Sequence, residues 1–323
     1  MQSISQLQVL INEAIADLKY PKSPKELYDP ISYLMNLGGK RLRPVCLLMA
    51  CNLFSDNIHK GLKPALAIEV FHNFTLMHDD IMDNAPIRRG KLTVHKKWNN
   101  NVAILSGDVM LVEAYKLIMQ VDPKILAEVL TIFNDTAAAV CEGQQIDMNF
   151  ETIENVSETD YIQMIRLKTA VLLAAALKIG ALTGGGSQND AGLLYDFGLN
   201  IGLAFQLHDD ILDVYGDPEK FGKQTGGDII ANKKTFLLIK ARELASGETK
   251  KQLIFWINST EKTDEKVIAV TKIFDDLNVR QLAEFEMSKY AKKALQSLAL
   301  VDAKDHKKNN LKTFAEDVVI REH

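Results

Sequence analysis

The sequence predicts an all-α fold, because apolar residues recur at three- and four-residue intervals in nearly every segment. The apolar runs are also too long for strands, and only eight prolines interrupt the 323 residues. At the amino terminus, MQSISQLQVLINEAIADLKY sets Glu13 and Asp17 among apolar positions, so it reads as an amphipathic helix and not as a signal peptide. Five later runs are apolar on several faces and read as interior helices of one large bundle: VCLLMACNLF, PALAIEVFHNFTLMHDDIMD, VLTIFNDTAAAVCEGQQIDM, TAVLLAAALKIGALTG and AGLLYDFGLNIGLAFQLHDDILDVYGD. Pro44, Pro64 and Pro123 stand where helices can begin. Breaks fall at Gly38-Gly39, from Asp83 to Asn101, at Gly184-Gly185-Gly186-Ser187, and from Gly216 to Lys234. Beyond Lys240 the chain is more polar, and its lysine pairs at 250–251 and 307–308 suit solvated helix faces. No linker long or biased enough to divide the chain is present, so a single domain over residues 1–323 is expected.

Hydrophobic residues make up 47% and charged residues 25%, the composition of an ordinary globular chain. Lys plus Arg at 38 against Asp plus Glu at 42 leaves −4, which offers no broad field for nucleic acid or an anionic membrane. Any anion site must therefore be local. Cys46, Cys51 and Cys141 are odd in number and form no CxxC pair, which argues against a disulfide framework or a cysteine zinc site and fits a reducing cytoplasm. The longest uninterrupted apolar run, Ala170 to Leu177, is far short of the roughly 20 residues that cross a bilayer.

The chemistry begins with a near-repeat. His78-Asp79-Asp80-Ile81-Met82-Asp83 and His208-Asp209-Asp210-Ile211-Leu212-Asp213 differ only by Met against Leu, and each lies in an apolar, helix-compatible run. Three carboxylates so close repel one another and cost desolvation energy if buried unpaired, so positive charge must sit among them. In a helix Asp79 and Asp83 project from one face a turn apart, as do Asp209 and Asp213. Such faces suit magnesium, a hard cation usually held by one or two carboxylates together with substrate phosphates. A lone DDxxD is common on acidic helix surfaces, whereas two in apolar helices make a metal site the stronger reading. No repeat of fixed period accompanies them.

Cations accompany both motifs. Gly38-Gly39-Lys40-Arg41-Leu42-Arg43-Pro44 puts three on a glycine turn leading into a helix, an arrangement suited to a phosphate group. Arg88 and Arg89 follow Asp83 within a short loop, Lys223 and Lys233 flank Thr225-Gly226-Gly227-Asp228, and Lys168-Thr169 opens the run from Ala170.

Read in order, GGKRLRP, HDDIMDNAPIRRG, LKTA, FQLHDDILD and FGKQTGGDIIANKKT resemble the polyprenyl synthetase family, the trans-type isoprenyl diphosphate synthases, from Gly38 to about Thr235. The resemblance implies an all-α isoprenoid synthase fold around a deep central cavity, usually a homodimer, with the acidic motifs facing each other across the cavity mouth. It implies a magnesium-dependent prenyltransferase, with two or three ions, that condenses isopentenyl diphosphate with dimethylallyl, geranyl or farnesyl diphosphate. By position, Asp79 and Asp83 resemble first-motif metal ligands and Asp209 the second-motif ligand, with Asp80, Asp210 and Asp213 in support. Arg88, Lys168, Thr169, Gln206, Lys223 and Lys233 resemble contacts to the allylic diphosphate. Gly39, Lys40, Arg43, His72 and Arg89 resemble the isopentenyl diphosphate site. His78 and His208 match the family loosely and read as hydrogen-bonded helix residues beside the metal site.

Product length in the family depends on bulky residues below the first motif, here Phe74 and Thr75. One aromatic five positions before the first Asp, with a small residue four before, resembles enzymes making the C20 geranylgeranyl product, with C15 farnesyl close behind and a longer-chain synthase further back. On a helical wheel Thr75 falls about 40° from Asp79 and Phe74 about 140°, so Phe74 also has a core-packing role available. A terpene cyclase would carry a different second metal motif and would not need GGKRLRP. An HD-type phosphohydrolase would need clustered histidines, and the seven here form no such set. A non-catalytic subunit would be expected to have lost aspartates or phosphate-binding bases.

Overall fold

The computed structural model describes residues 2–217, 225–259 and 263–320. The expected all-α architecture is observed. In chain order the helices are α1 (Ile4–Ala16), α2 (Lys25–Met35), α3 (Leu42–Phe54), α4 (Leu62–Met82), α5 (Val94–Lys97), α6 (Asn100–Ile118), α7 (Pro123–Phe150), α8 (Glu158–Ile165) and α9 (Val171–Gly184). They continue with α10 (Gln188–Tyr215), α11 (Gly227–Ile230), α12 (Phe236–Leu244), α13 (Gly247–Asn258), α14 (Asp264–Asp276), α15 (Val279–Leu300) and α16 (Asp305–Ile320). The break expected from Asp83 to Asn101 holds more structure than a loop. There β1 (Ile87–Arg88) and β2 (Lys91–Leu92) pair antiparallel around Arg89 and Gly90, both at positive φ, before α5 begins. Side-chain oxygens supply helix starts at Ser3, Asn99, Ser157, Thr235 and Thr263, each such cap contributing about 1 kcal/mol. Among the described residues no helix is long and apolar enough to cross a membrane.

The chain folds into two compact units. The first comprises residues 1–134, 175–195 and 301–311. Its core is α3, buried from Pro44 to Leu53, with α4 packed between α3 and α6. Close approach here depends on glycine. A Cβ at Gly180 would lie 2.2 Å from the Leu47 carbonyl oxygen, and one at Gly184 would lie 2.5 Å from that of Cys51. Gly107 of α6 likewise leaves room for the His78 ring, whose Nε2 lies 3.2 Å from the Ile104 carbonyl oxygen.

The second unit comprises residues 135–174, 196–300 and 312–323. Its distinctive feature is a π-helical turn, Arg166–Ala170, inserted between α8 and α9. Such turns occur frequently at functional sites. Two glycines admit it: a Cβ at Gly143 of α7 would fall 2.2 Å from the Lys168 amide nitrogen, and one at Gly202 of α10 would fall 2.6 Å from the Ala170 α-carbon. Gly143→Ala should therefore cost roughly 1–3 kcal/mol of folding stability by overpacking. Gly192→Ala, with nothing within 4 Å of the added methyl, should be neutral or gain up to about 1 kcal/mol from helix propensity. Equal effects of the two substitutions in urea unfolding would contradict the account.

Candidate active site

The first acidic motif ends α4, and its carboxylates differ in surroundings. Asp80 is 2% exposed and takes the Arg88 guanidinium in a forked pair, Nε at 2.9 Å from both carboxylate oxygens and Nη2 at 2.7 Å from Oδ1. Asp79 is half-buried and Asp83 exposed. The forked pair fastens the β1–β2 hairpin to the end of α4, and Thr93 Oγ1 donates to the Ala85 carbonyl at 2.7 Å behind it. Removing Arg88 would leave the buried Asp80 carboxylate without its guanidinium, so Asp80 and Arg88 have a structural bond in addition to any contact with substrate.

The glycine turn before α3 resolves differently from its sequence appearance. Gly38, Gly39 and Arg41 all have positive φ, and Arg41 turns inward, 5% exposed. Its Nη1 donates to Glu69 Oε1 at 2.5 Å, its Nη2 to the Met35 carbonyl at 2.7 Å and its Nε to Asn12 Oδ1 at 3.3 Å. Of the three cations in the turn, Arg41 is thus spent on the fold, and Lys40 is exposed. Arg89 lies over Gly39, where a Cβ would come within 3.0 Å of its guanidinium, and its Nη1 donates to the Gly38 carbonyl. Arg43 Nη1 lies 3.2 Å from His72 Nε2. Burial, then Arg43, Arg89, Arg88 and Arg41, hold the His72 imidazole well below its usual pKa. His72 is therefore neutral at physiological pH, so Nε2 can accept from Arg43. With Arg41 paired to Glu69 and Arg88 to Asp80, Arg43 and Arg89 near the uncharged His72 make a local positive field in a chain of net charge −4.

Phe74 is 8% exposed, its ring 5.5 Å from Phe71 and 4.8 Å from His78. These three share an arc of α4 distinct from the arc of His72, Leu76, Asp79 and Asp83. Thr75 is half-buried and its Oγ1 donates to the His72 carbonyl.

The second motif lies near the end of α10 and repeats the division. Asp210 is 4% exposed and accepts from Tyr161 Oη at 2.5 Å, the Phe236 amide at 3.2 Å and Gln206 Nε2 at 3.4 Å. Burial first, and then Asp228, push its pKa up to about 7, against the hydrogen bond from Tyr161, the charge of Lys233 and the Phe236 amide. Asp209 and Asp213 are half-buried. Asp213 Oδ2 accepts from the Asp228 amide at 2.9 Å, and its carbonyl from the Gly226 amide at 2.6 Å.

A pocket of about 60 Å³ in this unit is lined by Asp147, Tyr161, Lys168, Thr169, Gln206 and Lys233, among others. Lys168, on the π turn, donates to Asp147 Oδ2 at 2.5 Å, and Thr169 Oγ1 to Gln206 Oε1 at 3.3 Å. Lys233 Nζ stands 3.9 Å from Asp228 Oδ1. Lys223 lies outside the described residues. Asp147, Tyr161 and Asp228 are members of this network that sequence reasoning did not single out. Only Asp228 carried a local signal, its place in the Thr225–Asp228 turn.

The donor set fits a hard divalent cation. In each motif the outer two carboxylates, four residues apart, are less buried than the one between them, and Asp213 also accepts from the Asp228 amide. Among the described residues no group of three or more His, Cys, Asp or Glu forms a closed cage. Magnesium held there would take its remaining positions from water and phosphate oxygens.

Residues 24–274 match the sequence pattern of the family described as Polyprenyl synthetase. The chain is similar to the short chain isoprenyl diphosphate synthase of Methanothermobacter thermautotrophicus, at 38% identity over 97% of this chain and 94% of the relative. Its fold is similar to a crystal structure of a geranylgeranyl pyrophosphate synthase, with a TM-score of 0.94, 41% identity and 99% of both chains covered. It is also similar to the geranylgeranyl pyrophosphate synthase from Corynebacterium glutamicum complexed with isoprenyl diphosphate and magnesium, with a TM-score of 0.83, 28% identity and 98% and 96% covered.

The Asp210 carboxyl generates a pH dependence in the metal-free protein. Its pKa is raised from 3.8 to about 7, so the folded state holds the proton more tightly than the unfolded state. The associated stability is complete below the unfolded value and is lost as the pH rises through about 7. Asp210→Asn should flatten that decline in urea unfolding with chelator present. An unchanged slope would remove the assignment.

Proposed function

The chain belongs to the polyprenyl synthetase family and is a prenyltransferase, and from that premise we propose that it joins isopentenyl diphosphate to allylic diphosphates, with geranylgeranyl diphosphate (C20) as its main product. The observation that carries the reading is the burial pattern shared by both acidic motifs: the middle carboxylate is buried and its neighbours are more exposed. Residues 1–323 act as one catalytic domain. Asp79, Asp83 and Asp209 would hold two or three magnesium ions, whose contribution is to neutralise the charge developing on the departing diphosphate. Arg88, Lys168 and Lys233, with Lys223, bind the allylic diphosphate, and Thr169 and Gln206 orient it. Lys40, Arg43, Arg89 and neutral His72 bind isopentenyl diphosphate at Gly39.

The allylic carbon–oxygen bond breaks with both electrons leaving on diphosphate. The double bond of isopentenyl diphosphate donates its pair to the resulting cation and forms the new carbon–carbon bond. A proton then passes to the departed diphosphate, and the chain is five carbons longer. No side-chain nucleophile is required, and the chain's cations need only hold both diphosphates and exclude water.

A homodimer is supported by α6, where Leu105 and Val112 are 58% and 52% exposed with Ile104 beside them, and by Met119 just past its end, 54% exposed at the same seven-residue spacing. An apolar stripe of this kind marks a contact surface, and a second copy of the same stripe is its natural cover. Leu105→Glu with Val112→Glu should convert a dimer to a monomer in light scattering. A wild-type monomer would refute the dimer.

Supplied with magnesium, isopentenyl diphosphate and C5, C10 or C15 allylic partners in turn, the protein should elongate them, with C20 dominant by mass spectrometry. No elongation with any partner would defeat the proposal, and a C15 or C25 product would correct the length alone. Asp79→Ala and Asp209→Ala should each lower turnover at least about 100-fold with little change in melting temperature. Full activity in either would remove that ligand.

A further inference from the structure

Lys266 is 1% exposed. Taking an ammonium out of water costs several kcal/mol unless the protein compensates it. It lies in the first turn of α14, where the helix dipole disfavours a cation. Neither solvation nor the helix accounts for a lysine there, so its value lies in what it holds. Its Nζ donates to Asn232 Oδ1 at 2.8 Å, and Asn232 stands in the left-handed region at φ +53°, which asparagine tolerates better than most residues. The next residue, Val267, closes over Gly226, also left-handed at φ +81°, where a Cβ would come 2.5 Å from Val267 Cγ1. Two consecutive side chains of α14 therefore grip both ends of the segment from Gly226 to Asn232.

That segment orders functional groups. The Lys233 amide donates to the Asp228 carbonyl at 2.9 Å, while the Gly226 and Asp228 amides both donate to Asp213 of the second motif. We propose that Lys266 is a positioning residue for prenyl transfer, acting through Asn232 to keep Lys233 and Asp228 in register with Asp213. This rests on the function proposed above. Loss of the grip lets the Lys233 ammonium wander, which weakens allylic diphosphate binding and slows its departure, while the isopentenyl contacts at Gly39, Arg43, His72 and Arg89 are untouched.

The test compares the full-length wild type with Lys266→Met, Asn232→Ala and the double variant in two measurements. Hydrogen exchange should accelerate in residues 226–235 of each single variant and stay at the wild-type rate elsewhere. This readout needs no turnover, so it judges the grip even if the wild type fails to elongate, an outcome that would count against the proposed function instead. Kinetics with farnesyl and isopentenyl diphosphates should show kcat down roughly 10- to 100-fold and the farnesyl KM raised. The isopentenyl KM should stay within about two-fold, and the double variant should be no worse than either single one. Unchanged exchange, unchanged kcat, equal KM losses for both substrates, or additive losses would each overturn the proposal. Should Lys266→Met not fold, Asn232→Ala decides alone by the same criteria.

Discussion

Three carboxylates within a turn and a half of helix cannot share one environment, and this constraint organises the molecule. Their mutual repulsion rules out three buried charges without partners. Three exposed charges would give no fixed geometry. Both motifs reach the same compromise by different means. Asp80 is neutralised by a forked guanidinium, and Asp210 is held by a tyrosine hydroxyl, a backbone amide and a glutamine amide. With the middle carboxylate fixed, the outer ones keep their spacing, and Asp213 is anchored further by the Gly226 and Asp228 amides.

The same economy of charge applies to the bases. Arg41 is consumed by Glu69 in the core, which shapes the left-handed turn that leads into Arg43 and whose Gly38 carbonyl receives Arg89 from the β1–β2 hairpin. Burial first, and then the neighbouring arginines, keep His72 uncharged, so it can accept a hydrogen bond from Arg43 without adding to the repulsion. In the second unit Gly143 and Gly202 admit a π turn that swings Lys168 and Thr169 toward Asp147 and Gln206. Backbone geometry, set by glycine, thus decides where positive charge can stand.

Much of this was legible in the residues. Long apolar runs at helical spacing identified the all-α class, and the duplicated hexapeptide identified the metal face, because both signals are local and periodic. The reading of His78 as a hydrogen-bonded helix residue agrees with its contact to the Ile104 carbonyl. What local pattern could not show was partnership over distance. Arg41 and Arg43 look alike in GGKRLRP, and only Glu69, 28 positions away, separates their roles. Tyr161 is 49 positions from Asp210, and Lys266 is 34 from Asn232. The π turn was hidden because Arg166 to Ala170 continues a helical pattern, and the β1–β2 hairpin because two-residue strands have no periodicity to read.

The central claim is that Asp79, Asp83 and Asp209, and not the middle carboxylates, are given to the metal. Manganese titration followed by electron paramagnetic resonance, with inorganic pyrophosphate present, tests it directly. Asp79→Asn, which leaves the Asp80–Arg88 pair in place, should bind fewer ions or bind them at least about ten-fold more weakly than the wild type. Identical stoichiometry and affinity in the two proteins would contradict the account.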